Sequence, residues 1–390
     1  MIEASSRVHG VEQLIDMEQY FVIHAARQSG KTTYLLDLTQ KLNAQGTYHA
    51  VYCSLEGLQG ISEAEKGILL IIKCIKQALN ICDTPKNEFF AENADYVDFT
   101  GVLNTELTKY CKVLGKPLVI FFDEADCLSG ATLISFLRQL RAGYVNRALA
   151  PFVHSVALVG MHNIRDYKAL IRSERETLGS ASPFNIVAEA LTLKNFTQEE
   201  IASLYQQHTD ETGQLFEKET IDLVSEQTQG QPWLVNAIAR EVIVKMLDFD
   251  YAKAITVEMV NTAIQTIILR RDTHIDSLLE RLKEERVRCV IEPMLLGEDI
   301  PNLLSDDYQY VTDLGLIKNT GGKIQPSNPI YAEIIARTLS YDLQHKLILQ
   351  KPDGIIPRYL KDRKIDMDYL LQDFQQFWRE NRAHRPVSGL

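Results

Sequence analysis

The apolar run Tyr20-Phe-Val-Ile-His24 is followed directly by Ala25-Ala-Arg-Gln-Ser-Gly-Lys-Thr32. The run has the length of a buried strand, and apolar residues return at helical spacing after Thr32. A loop of small and polar residues that joins a strand to a helix and ends in Gly-Lys-Thr is typical of phosphate binding. Its backbone N–H groups can surround a phosphate at the N-terminus of the following helix.

The residue types in this loop suit the phosphates of ATP. Gly30 lets the backbone approach closely, Lys31 reaches the β- and γ-phosphates, and the hydroxyl of Thr32 can coordinate Mg²⁺. Ala25 stands where the usual pattern has its first glycine, so the match to that pattern is incomplete. We predict that ATP is bound by the loop and the residue after it, namely Ala25, Ala26, Arg27, Gln28, Ser29, Gly30, Lys31, Thr32 and Thr33.

A second apolar run, Leu118-Val-Ile-Phe-Phe122, ends in Asp123-Glu124. A strand that is apolar on both faces belongs in the middle of a parallel sheet. Taken alone, the two carboxylates could be the solvated end of a strand. Because they follow the phosphate loop in the order that an ATPase site requires, we interpret them as part of such a site. Asp123 would bind Mg²⁺, and Glu124 would orient or deprotonate the attacking water. We predict Lys31 and Glu124 as catalytic residues, and Thr32 and Asp123 as metal ligands.

Strand-like runs alternate with helical spacing through the first half of the chain, which predicts an α/β fold with a parallel sheet covered on both faces. After about residue 195 the pattern becomes helical, beginning with a capping box at Thr197-Gln-Glu-Glu200. Further helices lead to a hairpin whose turn is Asn319-Thr-Gly-Gly322. The predicted strands are 20–24, 48–53, 118–122, 153–160 and 190–193, and the later helices include 198–211, 217–228, 232–247 and 257–270.

These patterns divide the chain into four predicted parts. An ATPase core at 1–194 is followed by a helical lid at 195–272 and a winged-helix-like domain at 273–345. Apolar residues at helical spacing predict an amphipathic helical tail at 346–390.

Five segments of the chain resemble AAA-like ATPases of the STAND type, in particular bacterial and archaeal AAA-like ATP-binding proteins. The resemblance covers about residues 1–345, and it implies a sheet in the order 5-1-4-3-2, then a helical lid, then often a winged helix. The segments are Arg27-Gln-Ser-Gly-Lys-Thr-Thr33, Phe121-Phe-Asp-Glu-Ala-Asp126, Leu137-Arg-Gln-Leu-Arg-Ala-Gly143, Val159-Gly-Met-His-Asn163 and Gly230-Gln-Pro-Trp-Leu-Val235.

The resemblance also implies roles for five residues outside the loop and the Asp-Glu pair. His162 or Asn163 fits a sensor of the γ-phosphate, although either could simply cap a strand. Arg172 and Arg175 fit arginine fingers that act in trans, against the alternative of a solvated helix face. Pro232 fits a lid proline that contacts the nucleotide, although proline also suits the first turn of any helix.

Charge and apolar content limit the classes of partner. The chain has 390 residues and a formal net charge of −11, so it has no global attraction for DNA or an anionic membrane. The second helix of the winged-helix-like domain, at about 306–314, carries Asp306, Asp307 and Asp313 and no Lys or Arg, which also disfavours DNA. No apolar run reaches the length of a membrane span, and the N-terminus has no signal-peptide core, so we predict a cytoplasmic protein.

Three hypotheses of function follow. In the first, ATP binding closes the lid, hydrolysis reopens it, and the winged helix reports this state to a protein partner or within a homo-oligomer. In the second, the protein is an adaptor that holds nucleotide without turnover. In the third, it is a DNA-associated ATPase that acts through the winged helix, which salt-sensitive DNA binding would reveal.

Overall fold

The computed structural model describes residues 7–81, 99–161, 187–270, 273–296, 305–350, 360–361 and 364–372, with the side chains of 340–350 left out. The chain forms two compact units, Met1–Ile335 and Ala336–Leu390. In the described part of the chain, no helix combines the length and the apolarity needed to cross a membrane.

Five parallel strands form the central sheet of the first unit, in the order β2-β3-β4-β1-β5. Read from the other edge, this is the predicted order 5-1-4-3-2, which is therefore confirmed. The three central strands are buried along their whole length, whereas β5 is partly exposed at the edge. The strands are β1 (Tyr20–His24), β2 (His49–Ser54), β3 (Leu118–Asp123), β4 (Ser155–Gly160) and β5 (Val187–Thr192).

Helices cover both faces of the sheet, because alternate strand residues point to opposite sides. On one face, Val22 and Ile120 lie in a cluster with Ile68, whereas on the other face Ile23 and Phe121 lie with Leu35. The helices of this core are α1 (Val11–Asp16), α2 (Lys31–Gln45), α3 (Ala64–Ile81), α4 (Val102–Val113) and α5 (Gly130–Asn146). The sheet thus brings the carboxyl ends of β1, β3 and β4 to one edge.

The helices after the sheet start with the predicted capping box. The Thr197 hydroxyl accepts from the Glu200 N–H at 3.2 Å, and the Thr197 N–H donates to Glu200 Oε2 at 2.9 Å. The helix predicted at 232–247 is instead an α-helix to Arg240 followed by a π-helical turn, Glu241–Met246. The helices are α6 (Gln198–Thr212), α7 (Lys218–Thr228), α8 (Pro232–Arg240) and α9 (Val257–Arg270).

Three more helices precede the predicted hairpin, which is present. They are α10 (Thr273–Arg281), α11 (Glu285–Leu296) and α12 (Asp306–Asp313). Strands β6 (Ile317–Thr320) and β7 (Lys323–Pro326) pair antiparallel across Gly321 and Gly322, whose φ angles are +60° and +87°. The turn is thus two residues long instead of four, because two glycines adopt positive φ without strain.

The second unit departs from the predicted helical tail. It contains most of α13 (Pro329–Gln350) and two short antiparallel strands, β8 (Leu360–Lys361) and β9 (Lys364–Ile365). The run Lys361-Asp-Arg-Lys364 is entirely charged, so it has no apolar residue to bury on a helix face. Within the described residues, helical structure resumes at 367–372.

Candidate nucleotide site

The phosphate loop lies at the carboxyl end of β1 and leads into α2. Gln28 and Gly30 adopt positive φ angles of +57° and +86°, so the chain reverses direction before Lys31 begins the helix. A Cβ atom on Gly30 would lie 3.1 Å from the Arg7 guanidinium, which adds a close contact to the conformational need for glycine. Ala25 and Ser29 are buried, so they support the loop from within.

Lys31 is folded back over its own loop. Its Nζ donates to the carbonyl oxygens of Ala25 and Ala26, both at 3.1 Å, and only 7% of the residue is exposed. Burial lowers the pKa of Lys31, and the nearby carboxylates of Glu124 and Asp126 oppose this shift. A buried ammonium with neutral carbonyl partners has much to gain from an anion, so this arrangement suits a phosphate.

Asp123 accepts hydrogen bonds from the first turn of α2, from the neighbouring strand β2 and from the residue that follows it. Thr32 Oγ1 donates to Asp123 Oδ2 at 2.6 Å, and the Tyr52 hydroxyl donates to the same oxygen at 3.0 Å. The Glu124 N–H donates to Asp123 Oδ1 at 3.0 Å. Tyr52 could not be predicted from a local pattern, because its position beside Asp123 depends on the pairing of β2 with β3.

The donors at this point fit Mg²⁺. The two oxygens of Thr32 and Asp123 are adjacent, and Mg²⁺ prefers a few such protein oxygens completed by phosphate and water. Within the described ranges, no group of three His, Cys, Asp or Glu side chains could hold a metal by itself. A cation at Thr32 and Asp123 would therefore depend on the oxygens of a bound phosphate.

Glu124 leaves the strand in a left-handed conformation, with φ +54° and ψ +40°. This conformation costs a non-glycine residue about 1–2 kcal/mol, and such strain is concentrated at functional sites. Burial raises the pKa of the Glu124 carboxyl, whereas the ammonium of Lys31 lowers it. Because burial is the larger effect, the Glu124 carboxylate can accept a proton nearer neutral pH than an exposed glutamate.

Asp126 joins the turn after β3 to the end of β4. Its Oδ2 accepts a hydrogen bond from the Met161 N–H. A Cβ atom on Gly160 would lie 2.4 Å from the same oxygen, so only glycine permits this approach. Met161 lines the cleft, whereas the predicted His162, Asn163, Arg172 and Arg175 lie outside the described residues.

The loop and Glu124 line one polar cleft of about 490 Å³. Asp123 lies just below the cleft, bonded to Thr32. Pro232 is buried as the first residue of α8 and is not among the residues that line the cleft. The lining residues are Arg27, Gln28, Gly30, Lys31, Thr32, Glu56, Gln59, Glu124, Asp126, Cys127, Met161 and Arg281.

Arg7 connects the loop to the segment that starts the helical region. Its Nη2 donates to Ser29 O and to Lys194 O, both at 2.7 Å, and its guanidinium lies 4.8 Å from the ring centroid of Phe196. Burial lowers the pKa of Arg7. The sequence offered no signal for this residue, because it precedes β1 and belongs to no spaced motif.

Two residues that follow α9 in the chain, Ser277 and Gly315, contact the loop, and we call them the C-terminal side of the loop. Arg27 Nη1 donates to Ser277 Oγ at 2.9 Å. A Cβ atom on Gly315 would lie 2.7 Å from the Cβ of Ala26, so the two backbones are closely packed. His24 Nδ1 lies 3.9 Å from Asp313 Oδ1, and both side chains are buried.

The second helix of the predicted winged-helix-like domain, α12, places Asp307 and Asp313 in contacts within the protein. Asp313 faces His24, and Asp307 Oδ1 accepts from Arg286 Nε at 3.2 Å. Through these contacts, Asp307 and Asp313 interact with neighbouring elements of the same unit. They leave the prediction against DNA binding in place.

A family model described as an AAA-like domain matches residues 8–337. A Walker-type ATPase of Pyrococcus abyssi has a similar structure, with a TM-score of 0.58 and 14% identity over 85% of this chain and 94% of that chain. The ORC2 protein of Aeropyrum pernix gives a TM-score of 0.46 at 13% identity, covering 86% and 93% of the two chains. No curated protein sequence matches the chain.

Proposed function

The chain belongs to the AAA-like domain family, and from that premise we propose that it is a Mg²⁺-dependent ATPase of the STAND type that works as a molecular switch. The AAA-like resemblance of the sequence is thereby confirmed. The fold and family support nucleotide binding at the P-loop. Hydrolysis, the switch and its partner are the parts that we propose.

The observation that carries the proposal is the meeting of four side chains at one edge of the sheet. Lys31 and Glu124 line the cleft, and Thr32 Oγ1 lies 2.6 Å from Asp123 Oδ2 beneath it. Lys31 and the loop N–H groups would bind the phosphates, and Thr32 and Asp123 would hold Mg²⁺. Mg²⁺ supplies neutralisation of the charge that develops on the phosphates.

Glu124 is the proposed general base. It lines the same cleft as Lys31, and its carboxylate is half-buried with a raised pKa. It would orient a water molecule toward the terminal phosphate and accept its proton. His162, Asn163, Arg172, Arg175 and Pro232 stay proposed contributors from the family resemblance.

The contacts around the loop support the switch. Arg7 bonds Ser29 to Lys194 at the start of the helical region, and Lys318 of the hairpin donates to Gln229 Oε1 at 2.7 Å. Gly315 packs against Ala26. A loop that changes shape around ATP would alter these contacts, so the proposed lid and winged-helix regions can report the nucleotide to a protein partner or a second copy.

The Lys31→Ala variant tests the proposal when its nucleotide binding and ATP turnover are compared with those of the wild-type protein. We expect wild-type protein to bind ATP in the presence of Mg²⁺ and to release phosphate, and Lys31→Ala to lose both activities because its cation is removed from the phosphates. Lys41→Ala is the matched control, because Lys41 lies on the same helix α2 and pairs with Glu12 at 2.7 Å. Wild-type protein that binds no ATP would overturn the proposal, and bound nucleotide without turnover would favour the adaptor.

A further inference from the structure

Three neighbouring helices, α3, α4 and α5, pack together on one face of the sheet, and their buried residues share one core cluster with it. Near their starts, the Thr132 N–H donates to Ser62 O at 3.1 Å, and the Leu103 N–H donates to Gln139 Oε1 at 2.9 Å. Helices α3 and α5 follow the carboxyl ends of β2 and β3, and α4 leads into the start of β3. All three helices therefore end at the edge of the sheet opposite the nucleotide cleft.

The ends of these helices expose large aliphatic side chains. Ile81 ends α3 and is 84% exposed, Val113 ends α4 and is 50% exposed, and Val145 in the last turn of α5 is 65% exposed. Leu149, which follows the end of α5, is 88% exposed. Single exposed apolar residues are normal on a protein surface, whereas several at one edge indicate a site of interaction.

The same edge is rich in positive charge, although the chain as a whole is acidic. Its segments contain six Lys or Arg residues and no Asp or Glu. Lys109 and Arg147 pair with glutamates outside these segments, and Lys112 and Lys116 are exposed. Cations suit the last turn of a helix, but exposed aliphatic side chains do not follow from that preference. We call this surface the basic edge, and its segments are 76–81, 109–117 and 141–149.

A second exposed apolar surface lies among the helices after the sheet. Leu215 is 60% exposed and Phe249 is 51% exposed, and the ring centroid of Tyr251, which is also exposed, lies 6.4 Å from that of Phe249. The Ile255 N–H donates to Leu215 O at 2.8 Å, so the segment after α6 runs beside the segment that carries the two aromatic rings. Leu215, Phe249 and Tyr251 thus belong to one surface.

The turn that carries Phe249 has a fixed shape and an acidic surrounding. Asp248 and Phe249 both adopt left-handed φ angles, +46° and +62°, and the Phe249 N–H donates to Ile243 O at 3.0 Å. Non-glycine residues keep this conformation only where the surrounding structure fixes it. The segments 206–217 and 246–253, which we call the acidic tip, contain five Asp or Glu residues and one Lys.

We propose that the acidic tip of one copy of the chain docks on the basic edge of a second copy. Each surface combines exposed apolar side chains with charge of one sign, and the two signs are opposite. An anionic membrane would use only the basic edge and would leave the acidic tip without a partner. Because the two surfaces differ, the contact is head-to-tail, and it joins successive copies into a ring or a filament.

This contact goes beyond the proposed ATPase function and does not depend on it. The structure describes every residue of the two surfaces, and none of them lines the nucleotide cleft. Association measured without nucleotide therefore tests the contact alone. A protein that associates but does not hydrolyse ATP would contradict the proposed function only, and an active monomer would contradict this inference only.

Two surface variants and their mixture test the contact by sedimentation velocity. We expect the wild-type protein to self-associate as its concentration rises through the micromolar range. The edge variant, Ile81→Ser with Leu149→Ser, and the tip variant, Phe249→Asn with Leu215→Ser, should each stay monomeric, because the contact needs one edge and one tip. An equimolar mixture should form a dimer and nothing larger, since only the tip of the first variant and the edge of the second are intact.

Leu36→Ser and Leu269→Ser are the matched controls. Both residues are exposed leucines, on α2 and α9, outside the two surfaces, so both variants should associate as the wild-type protein does. If circular dichroism shows that the edge variant is unfolded, Lys112→Glu with Lys116→Glu replaces it in the same mixture, because it reverses the charge of the edge without removing apolar side chains.

Three outcomes would overturn the inference. They are a wild-type protein that is monomeric throughout this range, a tip variant that still self-associates, and a mixture of the two variants that forms no dimer. Cosedimentation with vesicles of phosphatidylglycerol and phosphatidylcholine identifies the alternative partner of the basic edge. A monomeric protein whose vesicle binding is lost in the edge variant would assign that edge to a membrane surface instead.

Discussion

The two sides of the phosphate loop are built on different principles. On the sheet side, Thr32, Asp123 and Glu124 are polar groups at the carboxyl ends of the strands and the start of α2, and we propose that each acts on a cation or a water. On the C-terminal side, Ser277 and Gly315 touch Arg27 and Ala26 mainly through shape and one hydrogen bond. The sheet side thus sets the chemistry, and the C-terminal side can set when it occurs.

Glu124→Gln gives the largest expected effect, because it removes the base on the sheet side and keeps the shape of the side chain. We expect ATP turnover to fall by about 10²- to 10⁴-fold, the usual range for loss of general acid–base catalysis. Kd for ATP should change little, as Lys31 and Thr32 are intact. Phosphate release and nucleotide binding measured on the same preparation check this, with Glu12→Gln as the control. Normal turnover in Glu124→Gln would remove Glu124 from the mechanism.

Gly315→Ala tests the C-terminal side of the loop. Its expected effect, a loss of folding stability, is smaller than the loss of turnover in Glu124→Gln. Gly315 has φ +73°, and its new methyl group would lie 2.7 Å from the Cβ of Ala26. Gly321→Ala is the control, since Gly321 has φ +60° with no atom near enough to clash. Positive φ costs each variant about 1 kcal/mol, and overpacking should cost Gly315→Ala about 1–3 kcal/mol more.

Denaturant midpoints of the two glycine variants measure this difference. A double variant with Ala26→Gly should recover part of the loss, because it removes the facing methyl group. Equal midpoints for Gly315→Ala and Gly321→Ala would mean that the loop and Gly315 are not packed together in solution.

Tyr52→Phe gives the smallest expected effect and returns to the sheet side. It removes one of the two hydroxyl donors to Asp123 Oδ2, so the carboxylate is less firmly oriented. We expect the Mg²⁺ concentration for half-maximal ATP binding to rise about two- to tenfold, as for one hydrogen bond. Tyr48→Phe is the control, because the Tyr48 hydroxyl bonds to Asp16 instead. If the Mg²⁺ concentration for half-maximal binding rose equally in Tyr52→Phe and Tyr48→Phe, Tyr52 would not be needed to orient Asp123.

The sheet and its site residues could be predicted because their signals are local. Strand β1 was predicted at its observed bounds, since an apolar run that meets the phosphate loop has a sharp end. Strand β5 was predicted at 190–193 and lies at Val187–Thr192, because an exposed edge strand needs no continuous apolar run. Asp123 and Glu124 were found because a carboxylate pair directly after a buried strand is visible in the sequence.

The contacts that were missed depend on distant parts of the chain. Arg7 meets Lys194, and Arg27 meets Ser277, across separations of 187 and 250 residues. Neither pair has a spacing that a single sequence can reveal, because both arise from how the helices fold back on the sheet. The π-helical segment at Glu241–Met246 was also missed, since a short segment with i→i+5 hydrogen bonds leaves the helical pattern of the sequence almost unchanged.

The hydrogen bonds of Lys31 have a further consequence for nucleotide binding. Two loop carbonyls accept from Lys31, and a third, that of Ser29, accepts from Arg7. Three carbonyl oxygens of the loop are therefore hydrogen-bonded to two of the protein's own cations. To bind the Lys31 ammonium, a triphosphate has to displace it from the carbonyl oxygens of Ala25 and Ala26. Nucleotide binding therefore replaces these two hydrogen bonds with bonds to phosphate oxygens. Each new contact of Lys31 with a phosphate is then offset in part by a lost contact with a loop carbonyl, so nucleotide should raise the melting temperature less than the number of new contacts would suggest.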